Sequence, residues 1–394
     1  MRLCIVTTMF PKYKGDYYGS FVYDEAKELV KKGCEVHVIT QHNEGIPYEE
    51  NMDGIYIHRF RWLKPKKFRA LVHFNGIKDY FRLTTYLISL FLKLIYIIRK
   101  NNIDVIHSHS AVPTGFVSIF VSKILRRPHF ITVHGMDVND CIKHPIIKYF
   151  VLFALNNCDN VIVVSDHLKK KLISTGIYRK KIKILRNAIN INKFKPIRNY
   201  EIRERYKITK QEILILFVGY LDTFKGVFEL LEAFYKLNNK YFNLKLMFVG
   251  VGPKSSDLIN KTTKLGLQDK ILFVGNISHD YIHEYYQAAD IVVLPSYGEG
   301  GGPPLSILEA MACGIPVIGS NVGGIPEGIH HSVNGLITSP KSINDLAKKI
   351  EILVTNPDLR KQFGKESLRI IKIKSLDINT KINKLVNFYK NSIG

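Results

Sequence analysis

The sequence predicts an α/β protein made of two doubly wound, Rossmann-like domains that face a central cleft. Short β-rich runs alternate with helical patterns through the first half of the chain, and the alternation starts afresh in the second half. The length agrees, because 394 residues exceed what one hydrophobic core usually serves. Ligands of such sheets bind at the carboxyl ends of the strands, so we expect the functional site there.

The first half holds the more extensive alternation. Its strand candidates are RLCIVTT, CEVHVIT, GIYIHRF, IDVIHSH, HFITVHG, NVIVVS and IKILRN. Its helical patterns are FVYDEAKELVKKG, a long apolar stretch through Ile98, TGFVSIFVSKIL, IIKYFVLFALNN and DHLKKKLISTG. β-Branched runs separated by amphipathic patterns are typical of a parallel sheet.

A polar passage over residues 191–212 is the predicted linker, after which the strand candidates are ILILFVG, LKLMFVG, KILFVG, IVVLPS, PVIGS and NGLIT. Helical patterns such as GVFELLEAFYKL and YIHEYYQAA lie between them. We therefore predict an N-terminal Rossmann-like domain over residues 1–195 and a C-terminal Rossmann-like domain over residues 196–375. Residues 376–394 form a last helix without a following strand, which we expect to cross back to the first domain.

The charge is strongly positive and unevenly placed. The net charge is +23, of which residues 1–195 carry +17 and the remainder +6. Such a field attracts nucleic acid or the anionic face of a membrane, although lysine is also simply abundant in this sequence. The stretch from Arg59 to Phe74 interleaves cations with aromatic residues, as interfacial segments do. Without a recognisable nucleic-acid module, we expect peripheral membrane contact and no nucleic acid.

Cysteine usage and hydropathy indicate a cytoplasmic protein. The five cysteines are scattered and form no C-x-x-C pair, which argues against a disulfide framework and a structural zinc. The apolar start is too short for a signal peptide and reads as a strand. The stretch from Leu83 to Ile98 contains Lys93 and falls short of the roughly 20 apolar residues of a spanning helix. We expect a buried or surface-lying helix there.

Two glutamates flank a glycine- and proline-rich turn, SYGEGGGPPLSILEAMACG, between a strand and a helix. The helix begins near Leu305 or Ser306, and its unpaired N–H groups suit a phosphate. Glu309 lies about one turn into this helix, where it accepts hydrogen bonds from neutral hydroxyls such as those of a ribose. Together these features indicate a nucleotide.

Glycines end three strands of the second domain at the expected ligand edge, namely Gly219, Gly250 and Gly275. Gly250 and Gly252 of FVGVGP begin a dinucleotide fingerprint, but Pro253 and its neighbours replace the third glycine. A nicotinamide site is therefore not indicated.

The motifs resemble those of retaining glycosyltransferases of the family-4 type, which have the two-domain GT-B fold. The family's signature is two glutamates separated by seven residues, and PPLSILEAMACGIPVIGSNVGGIPE is similar to its second half. Further similar elements, spread over nearly the whole chain, are GSFVYDEAKELVKKGCEVHVIT, DVIHSHSAVPTG, ITVHGMD, VIVVSDHLKKKL, LFVGYLDTFKG, GVGP, ILFVGNIS and YYQAADIVVLPS.

The resemblance implies a role for each matching residue. Glu309 holds the ribose, Lys225 neutralises the diphosphate, and His134 contacts the donor sugar near the leaving group. Other implied donor contacts are Gly19 beside the diphosphate, Asn276 and Ile277 near the base, the strand-end residues Gly219, Tyr220, Gly250 and Gly252, and the backbone cradle of Gly301, Gly302, Pro304, Leu305 and Ser306. The resemblance also implies that the domain of residues 1–195 binds the acceptor and that of residues 196–375 the nucleotide sugar, with retention of configuration and no separate cofactor.

The sequence departs from the family pattern at two positions. Gly301 stands at the position of the family's usual first glutamate, and Glu299 lies two residues earlier. Either Glu299 still reaches the sugar, or backbone N–H groups have taken over the role of that glutamate. Tyr220 replaces an arginine that usually accompanies the lysine. No Asp-x-Asp motif occurs, and we predict no metal.

Several histidines allow other interpretations. His279 and His283 have the i, i+4 spacing of a metalloprotease helix, but we interpret them as part of an exposed amphipathic helix. His107 and His109 alternate at a strand end, where packing and substrate contact are equally reasonable.

The sequence predicts a transferase that moves a hexose or N-acetylhexosamine from a nucleotide-diphosphate sugar to a glycan or lipid-linked acceptor, in cell-surface polysaccharide or glycolipid synthesis. Leaving-group stabilisation by a lysine and fixed dipoles would lower the barrier. A sugar-nucleotide epimerase of similar architecture and a non-catalytic nucleotide-sugar or glycan binding protein stay open as alternatives.

Overall fold

The computed structural model describes residues 1–64 and 76–393, and the chain divides into two compact units. The first unit comprises residues 1–186 together with the chain from residue 379 onward, and the second comprises residues 187–378. Most of the cationic, aromatic segment after Arg59 lies outside the described residues.

Each unit is organised around one sheet. The strands of the first unit are β1 (Arg2–Val6), β2 (Glu35–Gln41), β3 (Glu49–Met52), β4 (Ile55–Phe60), β5 (Val105–His109), β6 (His129–Val133), β7 (Asn160–Val163) and β8 (Ile182–Ile184). Those of the second unit are β9 (Ile213–Val218), β10 (Leu244–Val249), β11 (Ile271–Gly275), β12 (Ile291–Leu294), β13 (Val317–Ser320) and β14 (Gly335–Thr338).

Helices cover the sheets. They are α1 (Ser20–Lys31), α2 (Ile77–Lys100), α3 (Phe116–Leu125), α4 (Met136–Asn139), α5 (Ile147–Asn157), α6 (Asp166–Ser174), α7 (Tyr200–Arg205), α8 (Val227–Asn238), α9 (Ser255–Lys264), α10 (Ile282–Ala288), α11 (Leu305–Ala312), α12 (Ile325–Gly328), α13 (Ile343–Thr355), α14 (Pro357–Ile373) and α15 (Ile378–Ile393).

The first sheet has the order β3-β4-β2-β1-β5-β6-β7-β8 and the second β11-β10-β9-β12-β13-β14. Every neighbouring pair is parallel except β3 with β4. The strand order reverses beside β1 in one sheet and beside β9 in the other. Such switch points open a crevice at the carboxyl ends of the strands, which is where doubly wound sheets bind ligands.

The predicted linker is part of the second unit. Residues 191–212 contain α7, whose Arg203 is buried and donates to the carbonyls of Ala288, Thr209 and Glu212. Arg203 also pairs with Asp290 at 3.1 Å. Part of the predicted linker is thus held in the second unit by the buried guanidinium of Arg203 and its acceptors.

Helix α2 is long and apolar enough to cross a membrane by length and composition alone. A stripe of its side chains is nevertheless buried in the first unit, at Tyr86, Leu90, Leu94, Ile97 and Ile98. The opposite side exposes apolar residues, including Phe81 and Leu92. The helix therefore has one face in the core of the unit and one apolar face at its surface.

Helix α15 returns the chain to the first unit. Its side chains Ile382, Leu385 and Tyr389 are fully buried there. Tyr389 packs edge-to-face on Phe130 of β6, with ring centroids 5.1 Å apart. The last helix is thus a component of the first unit's core.

Candidate functional site

Glu309 lies inside helix α11, which starts directly after the glycine- and proline-rich turn, as the sequence predicts. The residue is 6% exposed. The hydroxyl of Tyr286, in α10, donates to Glu309 Oε2 over 2.8 Å, and His279 Nε2 lies 3.5 Å from Oε1. Burial, and then the carboxylate, raise the pKa of Tyr286 well above its usual value, so the hydroxyl keeps its proton and donates. One carboxylate oxygen is therefore committed to Tyr286.

The first turn of α11 presents its backbone N–H groups without a side-chain cap from the described residues. Pro304 is the N-cap, followed by Leu305 and Ser306, which are half-buried. Asn187 Nδ2 donates to the carbonyl of Pro303 over 3.1 Å and fixes the entry to the helix. An uncapped first turn with a positive dipole end can bind an anion.

Lys225 and Glu299 form an ion pair in the second unit. Lys225 sits in a single 3₁₀ turn after β9, between Asp222, which caps the turn, and Gly226. A side chain at Gly226 would meet the carbonyl of Pro295 at 2.2 Å, so the lysine turn lies directly against the end of β12. This packing brings the Lys225 ammonium to the Glu299 carboxylate.

The loop from Glu299 to Gly302 packs on the turn at Gly323 and Gly324. A Cβ at Gly323, whose φ is +54°, would lie 1.9 Å from the Glu299 carbonyl oxygen, and one at Gly324 would lie 2.3 Å from the Gly302 carbonyl carbon. Only glycine permits this approach of two backbones. The position of Glu299 and of the backbone at Gly301 is thus set by glycines in another loop.

The strand-end glycines of the second unit differ in their surroundings. A Cβ at Gly250 would meet the Gly219 carbonyl oxygen at 2.0 Å, and one at Gly252 would meet the Leu221 carbonyl oxygen at 2.2 Å. These glycines allow neighbouring loops to pack together, in addition to any role beside a ligand. Tyr220, which follows Gly219, is 44% exposed.

Asn276 and Ile277 directly follow β11 at the same edge of the second sheet. Asn276 is exposed and Ile277 half-buried. His279, nearby, precedes α10 while His283 lies within it, so the two histidines do not share one helix. The predicted exposed helix carrying both is therefore wrong, because the chain turns at Ser278 and Tyr281 before α10 begins.

In the first unit, Gly19 precedes α1 with φ +73°. A Cβ there would lie 2.4 Å from the Met9 carbonyl carbon, so the helix start packs tightly on the loop after β1. His134 follows β6 and is half-buried. Burial lowers the pKa of His134 well below its usual value, so this imidazole is neutral at neutral pH.

His107 and His109 at the end of β5 are buried in the first unit. His107 bonds to Thr132 through Nε2 at 2.7 Å and to Tyr389 through Nδ1 at 2.5 Å. His109 Nδ1 lies 2.9 Å from His134 Nε2. His107 is thus held by neighbouring hydroxyls, whereas His109 contacts a predicted site residue.

The predicted site residues divide between the units. Gly19 and His134 belong to the first, and all the others belong to the second. Within the second, the structure brings together Lys225 with Glu299, while Glu309 is held by Tyr286 and His279. Sequence reasoning missed Tyr286, whose only signal is a second tyrosine in an amphipathic pattern, HEYYQ.

Two family models match the chain: Glycosyltransferase Family 4 over residues 19–193, and Glycosyl transferases group 1 over residues 199–369. The chain is 33% identical to the putative teichuronic acid biosynthesis glycosyltransferase TuaC of Bacillus subtilis, over 89% of this chain and 88% of that protein. It is 26% identical to N-acetyl-alpha-D-glucosaminyl L-malate synthase of Bacillus anthracis, covering 93% of this chain and 91% of the other.

Solved structures have the same fold. Sucrose-phosphate synthase from Thermosynechococcus elongatus superposes with a TM-score of 0.79 at 22% identity, covering 99% of both chains. Anabaena HepE in complex with UDP superposes with a TM-score of 0.77 at 18% identity, over 99% of this chain and 100% of that one. The predicted fold of two Rossmann-like α/β domains is confirmed.

Proposed function

The chain belongs to the family-4, group 1 glycosyltransferases, and from this we propose that it moves a hexose or N-acetylhexosamine from a nucleotide-diphosphate sugar to a glycan or lipid-linked acceptor, with retention of configuration. The observation that carries the donor assignment is Glu309, a nearly buried carboxylate one turn inside an uncapped helix. Carboxylate and helix end match the two chemically different parts of a nucleotide, ribose hydroxyls and phosphate.

The proposed donor is supported by a structural relative. Anabaena HepE, which shares the fold, has been solved in complex with UDP and with UDP-glucose. In this chain Glu309 Oε1 would accept from a ribose hydroxyl, because Oε2 already accepts from Tyr286. Asn276 and Ile277, at the end of the outer strand β11, would lie against the base.

The chemistry follows from charge development. Breaking the sugar–diphosphate bond builds negative charge on the leaving group, which Lys225 and the N–H groups at Leu305 and Ser306 would stabilise. Glu299 pairs with Lys225 and would hold the ammonium in position for the diphosphate. This arrangement supplies positive charge without a divalent ion, in keeping with the lack of an Asp-x-Asp motif in the sequence.

The proposed pathway is cell-surface polysaccharide or glycolipid synthesis, on the cytoplasmic side of a membrane. It is supported by TuaC, and by the capsular polysaccharide biosynthesis glycosyltransferase CapM of Staphylococcus aureus, which is 26% identical over 85% of this chain and 84% of its own length. The buried, free state of all five cysteines suits a reducing compartment.

The surface of the first unit supports peripheral membrane contact. Helix α3 packs on both α2 and α5, and the three helices expose a set of apolar side chains: Ile77, Tyr80, Phe81, Ile88, Leu92, Tyr96, Phe120, Ile124, Tyr149 and Phe150. We call this set the apolar helix face. Beside it lies an apolar cavity of about 120 Å³ lined by Leu83, Leu87 and Phe116 among others. With the +17 charge of residues 1–195, the face suits an anionic membrane.

Transfer assays test the proposed function. The chain would be incubated with a panel of nucleotide sugars and short glycan or lipid-linked acceptors, and the anomeric configuration of the product read by NMR. We expect Glu309→Gln to raise the donor KM, and Lys225→Ala to lower kcat by about a hundredfold or more. Lys225→Ala leaves Glu299 without its ion-pair partner, so the double variant Lys225→Ala/Glu299→Gln tests whether the unpaired carboxylate causes the lower kcat.

The matched controls are Glu284→Gln and Lys236→Ala, which remove the same charges on the neighbouring helices α10 and α8. An unchanged KM and kcat of sugar transfer in the Glu309 and Lys225 variants would contradict the site assignment. Conversion of the donor without an acceptor would instead indicate an epimerase. Nucleotide binding without turnover over the whole panel would indicate a non-catalytic binding protein.

A further inference from the structure

A line of ionisable side chains runs through the interior of the first unit and ends at His134. Lys381 Nζ lies 2.6 Å from Glu25 Oε2, and Glu25 Oε1 lies 3.4 Å from His109 Nε2. His109 Nδ1 is 2.9 Å from His134 Nε2, and the two ring planes lie within 10° of each other. We call these four residues the buried charge line.

Four different elements contribute to the buried charge line. Glu25 lies on α1, His109 is the last residue of β5, His134 follows β6, and Lys381 comes from α15. Glu25 is 3% exposed and His109 is fully buried. Burial alone would raise the pKa of Glu25, but the Lys381 ammonium, together with a hydrogen bond from His109, outweighs it and holds that pKa well below the usual value. Glu25 is therefore ionised.

The surrounding groups argue against a metal ion at this place. Glu25, His107 and His109 each offer a ligand atom, all within 4.8 Å of one another. Both ring nitrogens of His107, however, already bond to the hydroxyls of Thr132 and Tyr389, and the Lys381 ammonium neutralises the carboxylate. A divalent ion would have to displace these partners and lie beside the ammonium.

The position of the protons follows from the distances. Glu25 Oε1 and His109 Nε2 lie 3.4 Å apart, and neither atom has another hydrogen-bond partner among the described residues. A carboxylate oxygen can only accept, so His109 carries its proton on Nε2. A second proton on His109 would add an uncompensated charge beside Lys381, which already balances Glu25. His109 Nδ1 therefore accepts, and His134 donates from Nε2.

We propose that Glu25 is a positioning residue that acts through His109 to fix His134 in the tautomer with its proton on Nε2 and a free lone pair on Nδ1. The inference rests on the proposed function for the role of His134 at the donor sugar. His134 then offers an acceptor at Nδ1, which takes a hydrogen bond from a sugar hydroxyl. Lys381 contributes by keeping Glu25 charged, so the last helix of the chain influences a residue after β6.

The substitution Glu25→Gln gives a specific expectation. The amide oxygen would accept from Lys381, which turns the amide N–H toward His109. His109 would then accept at Nε2 and donate from Nδ1, and His134 would carry its proton on Nδ1 instead. The substitution therefore inverts the tautomer of His134 while changing one atom of one side chain.

Long-range ¹H–¹⁵N NMR of the full chain with ¹⁵N-labelled histidine reads this directly, with the His134 signals assigned through His134→Gln. We expect Nε2 protonation in the wild type, Nδ1 protonation in Glu25→Gln, and a mixture in Glu25→Gln/Lys381→Met. The double variant contains no unpaired ammonium, so it can be measured even if the single variant fails to fold. Nδ1 protonation in the wild type, or a spectrum unaffected by both variants, would overturn the inference.

Kinetics provide the second readout. We expect Glu25→Gln to lower kcat/KM by about tenfold, the loss of one hydrogen bond, because His134 would no longer offer an acceptor to the sugar hydroxyl. Glu28→Gln is the control, because Glu28 is also buried on α1 and pairs with Lys31 at 2.6 Å. An equal loss in both variants would contradict the inference.

The two readouts separate this inference from the proposed function. The NMR measurement needs no substrate, so it gives an answer even if the wild type transfers no sugar from any donor. Transfer by the wild type combined with full activity of Glu25→Gln would reject the positioning role and leave the proposed function intact.

Discussion

Glu309 is held from one side by a buried tyrosine hydroxyl, which determines how the carboxylate can meet a ligand. The 2.8 Å bond from Tyr286 occupies Oε2, so we expect Oε1, which lies 3.5 Å from His279 Nε2, to accept from a ribose hydroxyl. The bond also satisfies an oxygen that would be costly to leave unpaired at this depth. Tyr286 therefore belongs to the candidate site although it need not touch a ligand.

The substitution Tyr286→Phe tests this arrangement. We expect it to raise the donor KM several-fold with little change in kcat, because a ribose contact is made equally in the ground and transition states. It should also lower the free energy of unfolding by about 1–3 kcal/mol, the cost of an unsatisfied buried acceptor. Initial rates and urea unfolding measure the two effects.

The neighbouring Tyr285→Phe is the control for this prediction. Its hydroxyl lies 3.4 Å from that of Tyr206, whereas the bond to Glu309 comes from Tyr286, so removing the Tyr285 hydroxyl should leave the donor KM unchanged. An equal rise of KM in both variants would show that the helix, and not the bond to Glu309, is responsible.

Asp137 is a second residue whose environment sets a measurable property. It is buried in the first unit, and its Oδ1 accepts from the backbone N–H of Ala111 at 2.8 Å. Burial raises its pKa from 3.8 to about 6. Between these values the folded chain keeps a proton that the unfolded chain has released, so the free energy of unfolding falls as the pH rises through this window.

We expect Asp137→Asn to remove this slope, because the amide keeps an acceptor but cannot ionise. Relative to the variant, the wild type should lose up to about 3 kcal/mol of stability between pH 4 and pH 7. Urea unfolding at pH 4, 5, 6 and 7 measures the difference between the two proteins. A constant difference over the whole range would contradict the raised pKa.

At the level of elements, the strands were predictable because buried parallel strands are short apolar runs bounded by turn residues. Every predicted strand is present, and within residues 1–64 and 76–393 the one strand that the sequence did not predict is β3. Its sequence, EENM, is polar because it pairs antiparallel at the edge of the sheet, where few of its side chains are buried. Helix α11 was predictable from its start signals.

The side-chain partners were not predictable in the same way. The ion pair of Lys225 with Glu299 joins residues far apart in sequence, and the approach of Glu299 to Gly323 depends on two turns that carry no joint pattern. The contact of Lys381 with Glu25 spans almost the whole chain. Sequence patterns describe local periodicity, whereas these contacts depend on the order of strands in each sheet.

The exposed residues of helix α2 allow a test of whether the apolar helix face binds membranes. We expect the chain to bind vesicles of phosphatidylglycerol at low salt and to be released by high salt. Phe81 and Leu92 are 62% and 60% exposed, so Phe81→Ser/Leu92→Ser should weaken binding by about tenfold or more without lowering stability. Co-sedimentation with vesicles measures the binding.

Phe242→Ser is the matched control, because Phe242 is 76% exposed but lies on the second unit. It should leave vesicle binding unchanged. A wild type that stays unbound at low salt would reject the membrane surface, and equal binding of all variants would place it elsewhere on the protein.

At the scale of the whole molecule, the chain leaves the first unit at residue 186 and re-enters it at residue 379. The core of the first unit is therefore complete only when the last helix has been added. The one tryptophan of the sequence, Trp62, allows the unfolding of the first unit to be followed by fluorescence. Trp62 lies in that unit and packs on Tyr86 with ring centroids 5.1 Å apart. Its fluorescence follows the first unit alone, whereas far-ultraviolet circular dichroism follows both.

The substitution Leu385→Ala tests whether α15 stabilises the first unit specifically. Leu385 is fully buried, so the cavity should cost about 2–5 kcal/mol and lower the urea midpoint of Trp62 fluorescence. The part of the circular dichroism change that belongs to the second unit should keep its midpoint, because residues 187–378 form a separate core. Lys384→Ala, one position earlier and exposed, should change the free energy of unfolding measured by Trp62 fluorescence by less than about 0.5 kcal/mol. Equal shifts of the fluorescence and circular dichroism transitions in Leu385→Ala would show that the two units unfold as one.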